Sequence, residues 1–254
     1  MTTPRVMPHP PMHARTSRPR RGASVAYGAV GVLGELLITL GVLLLGFLVW
    51  QLWWTDVEGD RAQAEIVRDL GAPTATVEHD DGVAEPQPGE PPVLPEPGHA
   101  VSFATLTVPR WAGEPARPIS QGTDRRTVLD VLGVGHYEGT AMPGGVGNFA
   151  LAGHRVTFGK PFNRIEELQV GDPLVVWTTD AWYVYRVTST EVVLPKDVRV
   201  IAPVPDEPGV APTERYITLT TCHPMFSARE RYVVHGVFEY WASTADGTPA
   251  ELLG

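Results

Sequence analysis

Apolar positions along the chain fall into three regimes. Between Val25 and Trp54 they are almost continuous, and nineteen residues from Leu36 to Trp54 carry no charge. A run of that length spans a bilayer core as a helix. Trp50, Trp53 and Trp54 close it with amphipathic rings that favour the headgroup region. A cleavable signal peptide is the competing reading, but its apolar stretch is shorter and ends at small residues, whereas this one ends in Gln51-Leu52-Trp53-Trp54. Val57 to Leu70 can continue briefly as helix, since Ala62, Ile66 and Leu70 recur every four residues. Gly71 to Gly98 then loses all pattern: it holds seven Pro and six acids, no Lys or Arg, and few large apolar residues. Such a stretch lacks the burial to offset its ordering entropy, which predicts an extended, self-repelling tether.

From His99 onward the pattern changes to short apolar runs bounded by Gly, Pro and Asp. They predict strands over Val101 to Val108, Asn148 to Ala152, Pro173 to Thr178, Ala181 to Val187, Glu191 to Leu194, Arg215 to Thr220 and Arg231 to Tyr240. Helical periods are scarce, a turn or two over Arg126 to Leu132 and over Asn163 to Leu168. An all-β closed barrel or a sandwich fits, and periodicity alone does not choose between them. The expected organisation is an arm over 1–24, an anchor over 25–54, a linker over 55–98, a folded domain over 99–246 and a tail over 247–254.

Composition sharpens this layout. The 254 residues include 20 basic and 29 acidic side chains, a net charge of −9. The first 24 hold five Arg and no acid, leaving 15 basic against 29 acidic residues in the remainder, a balance of −14. Basic residues before the span and Asp56, Glu58 and Asp60 after it predict a cytoplasmic amino terminus and an exported domain. An acidic exported portion argues against a nucleic-acid partner. One cysteine excludes an intrachain disulfide and any Cys-rich metal centre. No cofactor or metal site is expected, since the acids show no calcium-loop spacing and the histidines are dispersed.

The lone thiol, Cys222, ends the alternating run Tyr216-Ile217-Thr218-Leu219-Thr220-Thr221-Cys222. The plain reading is a buried cysteine acting as a small hydrophobe. Against it, a free thiol in an exported protein is open to oxidation. His154 also sits at a strand exit, after Asn148-Phe149-Ala150-Leu151-Ala152-Gly153. Arg231 opens a strand nine residues after Cys222, and a return loop of that length brings two antiparallel strand ends together. A thiol nucleophile, an imidazole acid/base and a fixed cation are the parts of acyl-transfer chemistry. Arg229 shares strand parity with Arg231 and competes with it. His223 is adjacent to the thiol in sequence but points to the opposite face in an extended strand. His136 flanks the motifs, and His235 reads as structural within its strand.

At these residues the chain closely resembles the sortases, membrane-anchored cysteine transpeptidases. Thr218-Leu219-Thr220-Thr221-Cys222 matches the family's TLxTC signature, with Gly153-His154 upstream and Arg231 downstream. The segments 135–144 and 147–155, and Cys222-His223-Pro224-Met225-Phe226-Ser227-Ala228-Arg229-Glu230-Arg231, resemble the class E group of actinobacteria. The resemblance implies an eight-stranded closed barrel with His154, Cys222 and Arg231 as catalytic residues and Tyr137 and Thr221 as candidates for peptide binding. It implies cleavage of LAxTG-like sorting signals between Thr and Gly, and transfer to an amine of peptidoglycan or its lipid-linked precursor. An L,D-transpeptidase and a silent membrane-tethered binding domain are the alternatives. The first typically has a Gly-rich context and a histidine before its Cys, which this sequence lacks, and the second would have no need of all three reactive side chains.

Overall fold

A computed structural model describes residues 21–73 and 82–253. Most of the predicted basic arm and the middle of the predicted tether lie outside the described residues. The chain divides into two units, Met1–Trp50 and Gln51–Gly254. In the first, the described residues belong to α1 (Arg21–Asp69), the one helix among them long and apolar enough to cross a membrane. Its 18-residue window reaches a mean hydropathy of 2.5.

The second unit is built on a closed barrel, which decides between the two architectures that periodicity left open. Its strands are β1 (Ser102–Thr107), β2 (Arg117–Gln121), β3 (Val134–His136), β4 (Gly147–Ala152), β5 (Pro173–Trp177), β6 (Ala181–Val193), β7 (Arg215–His223) and β8 (Glu230–Ser243). They close in the order β1-β2-β3-β4-β7-β8-β6-β5. Two pairs, β2 with β3 and β4 with β7, are parallel, and the others are antiparallel. Phe149, Leu151, Ile217, Leu219 and Val234 fill the interior and are fully screened from water. Tyr185 is buried among them and takes a hydrogen bond from the Gly144 N–H at 2.8 Å. Burial pushes its phenol far above the ordinary value.

The structure adds β2 and β3 to the predicted strands. Pro118 and Gly135 interrupt their apolar pattern, and β3 is only three residues long. The two runs expected over Ala181 to Leu194 form the single strand β6, whose ladder to β8 is irregular between Val184 and Tyr185 and between Val187 and Ser189. Thr188, Ser189 and Thr190 break the apolar alternation without breaking the strand, because β-branched and hydroxyl side chains suit an exposed sheet face.

Two flanking segments differ from the expected linker and tail. Residues 82–98 do not stand free. Tyr183 Oη donates to the Pro92 carbonyl at 2.7 Å, Gln87 N donates to the Trp241 carbonyl at 2.8 Å, and Glu90 pairs with Arg215. Ala84 is buried, and Ala84 N donates to the Thr248 carbonyl at 2.9 Å. The segment has no core of its own, but its carbonyls and carboxylates find donors on the barrel wall. At the other end, Gly247 accepts from Trp182 Nε1 at 3.0 Å, and Glu251 receives Arg186 and Tyr240. Residues 247–253 are therefore part of the folded unit.

The predicted helical continuation is present to Asp69, but rotated from the expected face. Gly59, Gln63 and Val67 are its buried positions, while Ala62, Ile66 and Leu70 are only partly covered. A glycine and a glutamine carry no hydrophobic signal, so the periodicity located the stripe one position away.

Candidate active site

The β7–β8 ladder places Cys222 directly opposite Arg231. Opposed residues of an antiparallel pair project their side chains to the same face, with Cβ atoms about 5 Å apart. β4 runs parallel to β7 in a register that sets Ala152 against Thr220, so His154, two residues on, leaves its strand level with Cys222. Gly153 N donates to the Thr220 carbonyl at 3.2 Å, and Thr221 Oγ1 donates to the Gly153 carbonyl at 2.7 Å. These bonds tie the histidine and cysteine strand exits together. Gly153 is required by a phenyl ring: a Cβ there would lie 2.8 Å from Phe162.

His154, Cys222 and Arg231 line one cleft of about 600 Å³, together with Tyr137, Thr221 and Phe226. Tyr137 Oη is 3.1 Å from Thr220 Oγ1, which orients the ring along the cleft wall. Thr221 is buried and its hydroxyl proton is committed to Gly153, so it serves the strand junction first and reaches the cleft with what remains. Phe226 is 80% exposed at the rim. Arg231 Nη1 donates to the carbonyls of Ala228 at 3.0 Å and Glu230 at 2.9 Å, which holds the guanidinium near the loop that follows Cys222.

Behind these residues lies a layer that the sequence did not reveal. His154 Nε2 donates to Asp130 Oδ1 at 2.6 Å, and Phe158 packs on the imidazole with ring centroids 5.2 Å apart. Asp130 caps a short π-helical turn over Arg125–Leu129, whose start is held by Asp124 accepting from Arg126 N and Thr127 N. Arg155 is 2% exposed and reaches the Cys222 carbonyl at 3.4 Å and His223 Nδ1 at 3.1 Å. Its other end meets Glu166 at 2.6 Å. The Arg155 hydrogen bond holds the Glu166 carboxyl below the ordinary glutamate value. A buried guanidinium with a carboxylate partner thus underlies the backbone of Cys222.

The sortase domain profile matches residues 106–239, more than half of the chain. Sortase SrtE2 of Streptomyces coelicolor is 38% identical over 229 residues, which cover 85% of this chain and 85% of the relative. The chain belongs to the sortase family. Sortases are cysteine transpeptidases, and further relatives agree on the subgroup. Sortase SrtE1 of Streptomyces coelicolor is 38% identical over 95% of this chain, which spans 66% of that relative's length. A crystal structure of Sortase E1 from the same organism, with a tripeptide in the active site, superposes with a TM-score of 0.56 at 42% identity, covering 60% of this chain and 97% of that one. The SrtA sortase from Actinomyces oris superposes with a TM-score of 0.64 at 44% identity, covering 67% and 97% of the two chains. The Sortase E relatives among them place the chain with the class E sortases.

Of the competing side chains in this sortase, Arg229 precedes β8 and is exposed outside the cleft lining, so strand parity does not apply to it. His223 turns from the cleft, stacks on Tyr232 at 5.7 Å and meets Glu166 Oε1 at 2.9 Å. His136 is fully buried, with Nδ1 2.7 Å from Gln121 Oε1 and Nε2 2.9 Å from Thr140 Oγ1. Desolvation lowers its pKa. His235 is buried within β8, with Nδ1 2.9 Å from Thr218 Oγ1. The histidines, dispersed in sequence, are not all isolated in space: His235 Nε2 lies 3.3 Å from Glu191 and 3.8 Å from Asp206. Arg199 sits on both carboxylates and supplies a cation to that cluster.

Proposed function

We propose that this chain is a membrane-anchored sortase that cleaves LAxTG-like sorting signals between Thr and Gly and transfers the acyl part to an amine of peptidoglycan or its lipid-linked precursor. The observation that carries the reading is the rung that sets Cys222 against Arg231 at the end of a cleft also lined by His154. The Cys222 thiolate attacks the threonine carbonyl, a C–S bond forms, and the carbonyl electrons move to oxygen. Arg231 stabilises that oxyanion with a charge that does not change across physiological pH. The tetrahedral centre then collapses with loss of the C–N bond. His154 delivers the proton to the departing amine, because an unprotonated amide nitrogen is a prohibitive leaving group. A thioester remains on Cys222.

In the second half the incoming amine attacks the thioester, His154 takes up its proton, and Cys222 leaves as thiolate. Asp130 engages Nε2 of His154, which leaves Nδ1 as the nitrogen that exchanges protons with substrate. The apolar stretch of α1 crosses the membrane with the amino terminus in the cytoplasm, and the catalytic unit faces outward. Tyr137 and Thr221 shape the seat of the sorting signal.

The purified full chain, given LAxTG and LPxTG peptides in parallel with an added amine, is expected to release the glycine side and join the threonine side to the amine, with LAxTG favoured. No turnover of either peptide would remove the assignment.

A further inference from the structure

The stretch of α1 that follows the apolar run packs against the residues that support His154. Gly59 is so close to the 155–160 loop that a Cβ would lie 2.5 Å from both Gly159 N and Phe158 C. Gln63, buried at 2% exposure, donates from Nε2 to the Phe158 carbonyl at 2.8 Å. Its Oε1 accepts from Arg117 Nη1 at 3.2 Å, and Arg117 also donates to Asp60 at 2.6 Å. Lys160 Nζ donates to Asp56 Oδ2 at 3.0 Å. The loop gripped this way has left-handed backbone at Phe158, Gly159 and Lys160, with φ of 54°, 74° and 37°. A β-carbon penalty at Phe158 and Lys160 is tolerated only where surrounding contacts over-determine the conformation.

Phe158 is the ring that packs on His154. The same Gln63 also borders the loop that follows Asp130, since a Cβ on Gly133, three residues after Asp130, would lie 2.9 Å from Gln63 Cδ. One helix face therefore touches both the loop that carries Phe158 and the loop that follows Asp130.

We propose that Gly59 and Gln63 are positioning residues for the catalytic imidazole, so that docking of the helical segment Asp56–Val67 sets the turnover of the enzyme. The inference rests on the reading of His154 as the acid and base. The contacts of Gly59 and Gln63 fall on the loops at Phe158 and Gly133, whereas the cleft wall is formed by Tyr137, Thr221 and Phe226, so the effect is expected on the chemical step rather than on peptide binding.

The test uses the full chain in detergent micelles. Gly59→Ala raises helix propensity yet forces the helix off the loop. Gly46→Ala, in the same helix with nothing within 4 Å of the new methyl, is the control. Gln63→Glu keeps an acceptor for Arg117 and replaces the donor to Phe158 with a carboxylate oxygen that repels that carbonyl, so it reads the contact even where Gly59→Ala fails to fold. Displacements near 1 Å at catalytic groups cost on the order of a hundredfold. We expect Gly59→Ala and Gln63→Glu to lower kcat at least about tenfold with KM within about twofold, and Gly46→Ala to match the wild type. Wild-type kcat in both variants, or a loss confined to KM, overturns the proposal. His154→Ala is measured beside them. If it stays active, the assignment of the acid has failed; if it is inactive while Gln63→Glu is normal, only the positioning role has.

Discussion

Replacing Asp130 by Asn tests how far the His154 imidazole depends on its half-buried partner. The substitution keeps the shape of the side chain and removes its charge. In the native arrangement Nε2 and Oδ1 are 2.6 Å apart, and the two side chains are 17% and 20% exposed. That geometry is a short, charge-assisted hydrogen bond in a largely dry setting. Hydrogen bonds to charged groups contribute about 1.5–3 kcal/mol. Each 1.36 kcal/mol corresponds to a factor of ten in rate, so the chemical step is expected to slow by about 10- to 150-fold. An amide in place of the carboxylate also offers its N–H₂ to the ring, which favours the wrong tautomer and pushes the loss toward the upper figure. The assay is steady-state transpeptidation of an LAxTG peptide, with kcat and KM separated. Alkylation of Cys222 by a small thiol reagent, measured in parallel, reports whether the cleft is intact. The expected pattern is a lower kcat, an unchanged KM and retained alkylation. A kcat within about twofold of the wild type would refute the coupling of Asp130 to catalysis.

Two further outcomes follow from the geometry. Arg231→Ala is expected to lower kcat/KM by about 10²- to 10³-fold, the loss typical of a removed oxyanion donor, while Arg229→Ala stays within about twofold; the reverse order would move the oxyanion site outside the cleft. Acid stability is expected to reflect His136: the folded chain holds this ring neutral by burial, while the unfolded chain takes up a proton below its ordinary value of 6.5. The unfolded state then binds more protons, so stability is full above that pH and falls as pH drops through it. Urea midpoints between about pH 7.5 and 5.5 check the sign, and His136→Gln should flatten this slope; an undiminished slope would place the acid-labile group elsewhere.

Much of this site is legible because it is built from strand ends. The nine-residue step from Cys222 to Arg231 predicts a hairpin, and the ladder pairs those two residues on one rung. Gly153-His154 marks a second strand exit, and the parallel β4–β7 register brings it alongside. Asp130, Phe158, Arg155 and Gln63 were not legible in the same way. Asp130, Arg155 and Gln63 are 24, 67 and 95 positions from the residues they serve. Phe158, though only four residues after His154, lies in a loop with no helical or strand period to give that spacing meaning. β2 escaped notice because Arg117 and Gln121 are buried by pairing with Asp60, Glu114 and Glu96 and show no apolar alternation, and β3 because it is only three residues long. Residues 82–98 read as a free tether because their attachment is carried by backbone carbonyls and carboxylates, which composition does not reveal.

The claim that Cys222 carries the acyl group is tested most directly by intact mass of the protein after brief mixing with an LAxTG peptide and no amine. The expected result is an adduct equal to the peptide fragment ending in threonine, lost on adding an amine nucleophile and absent from Cys222→Ala. Transpeptidation by Cys222→Ala, or turnover by the native chain with no adduct at Cys222, would contradict it.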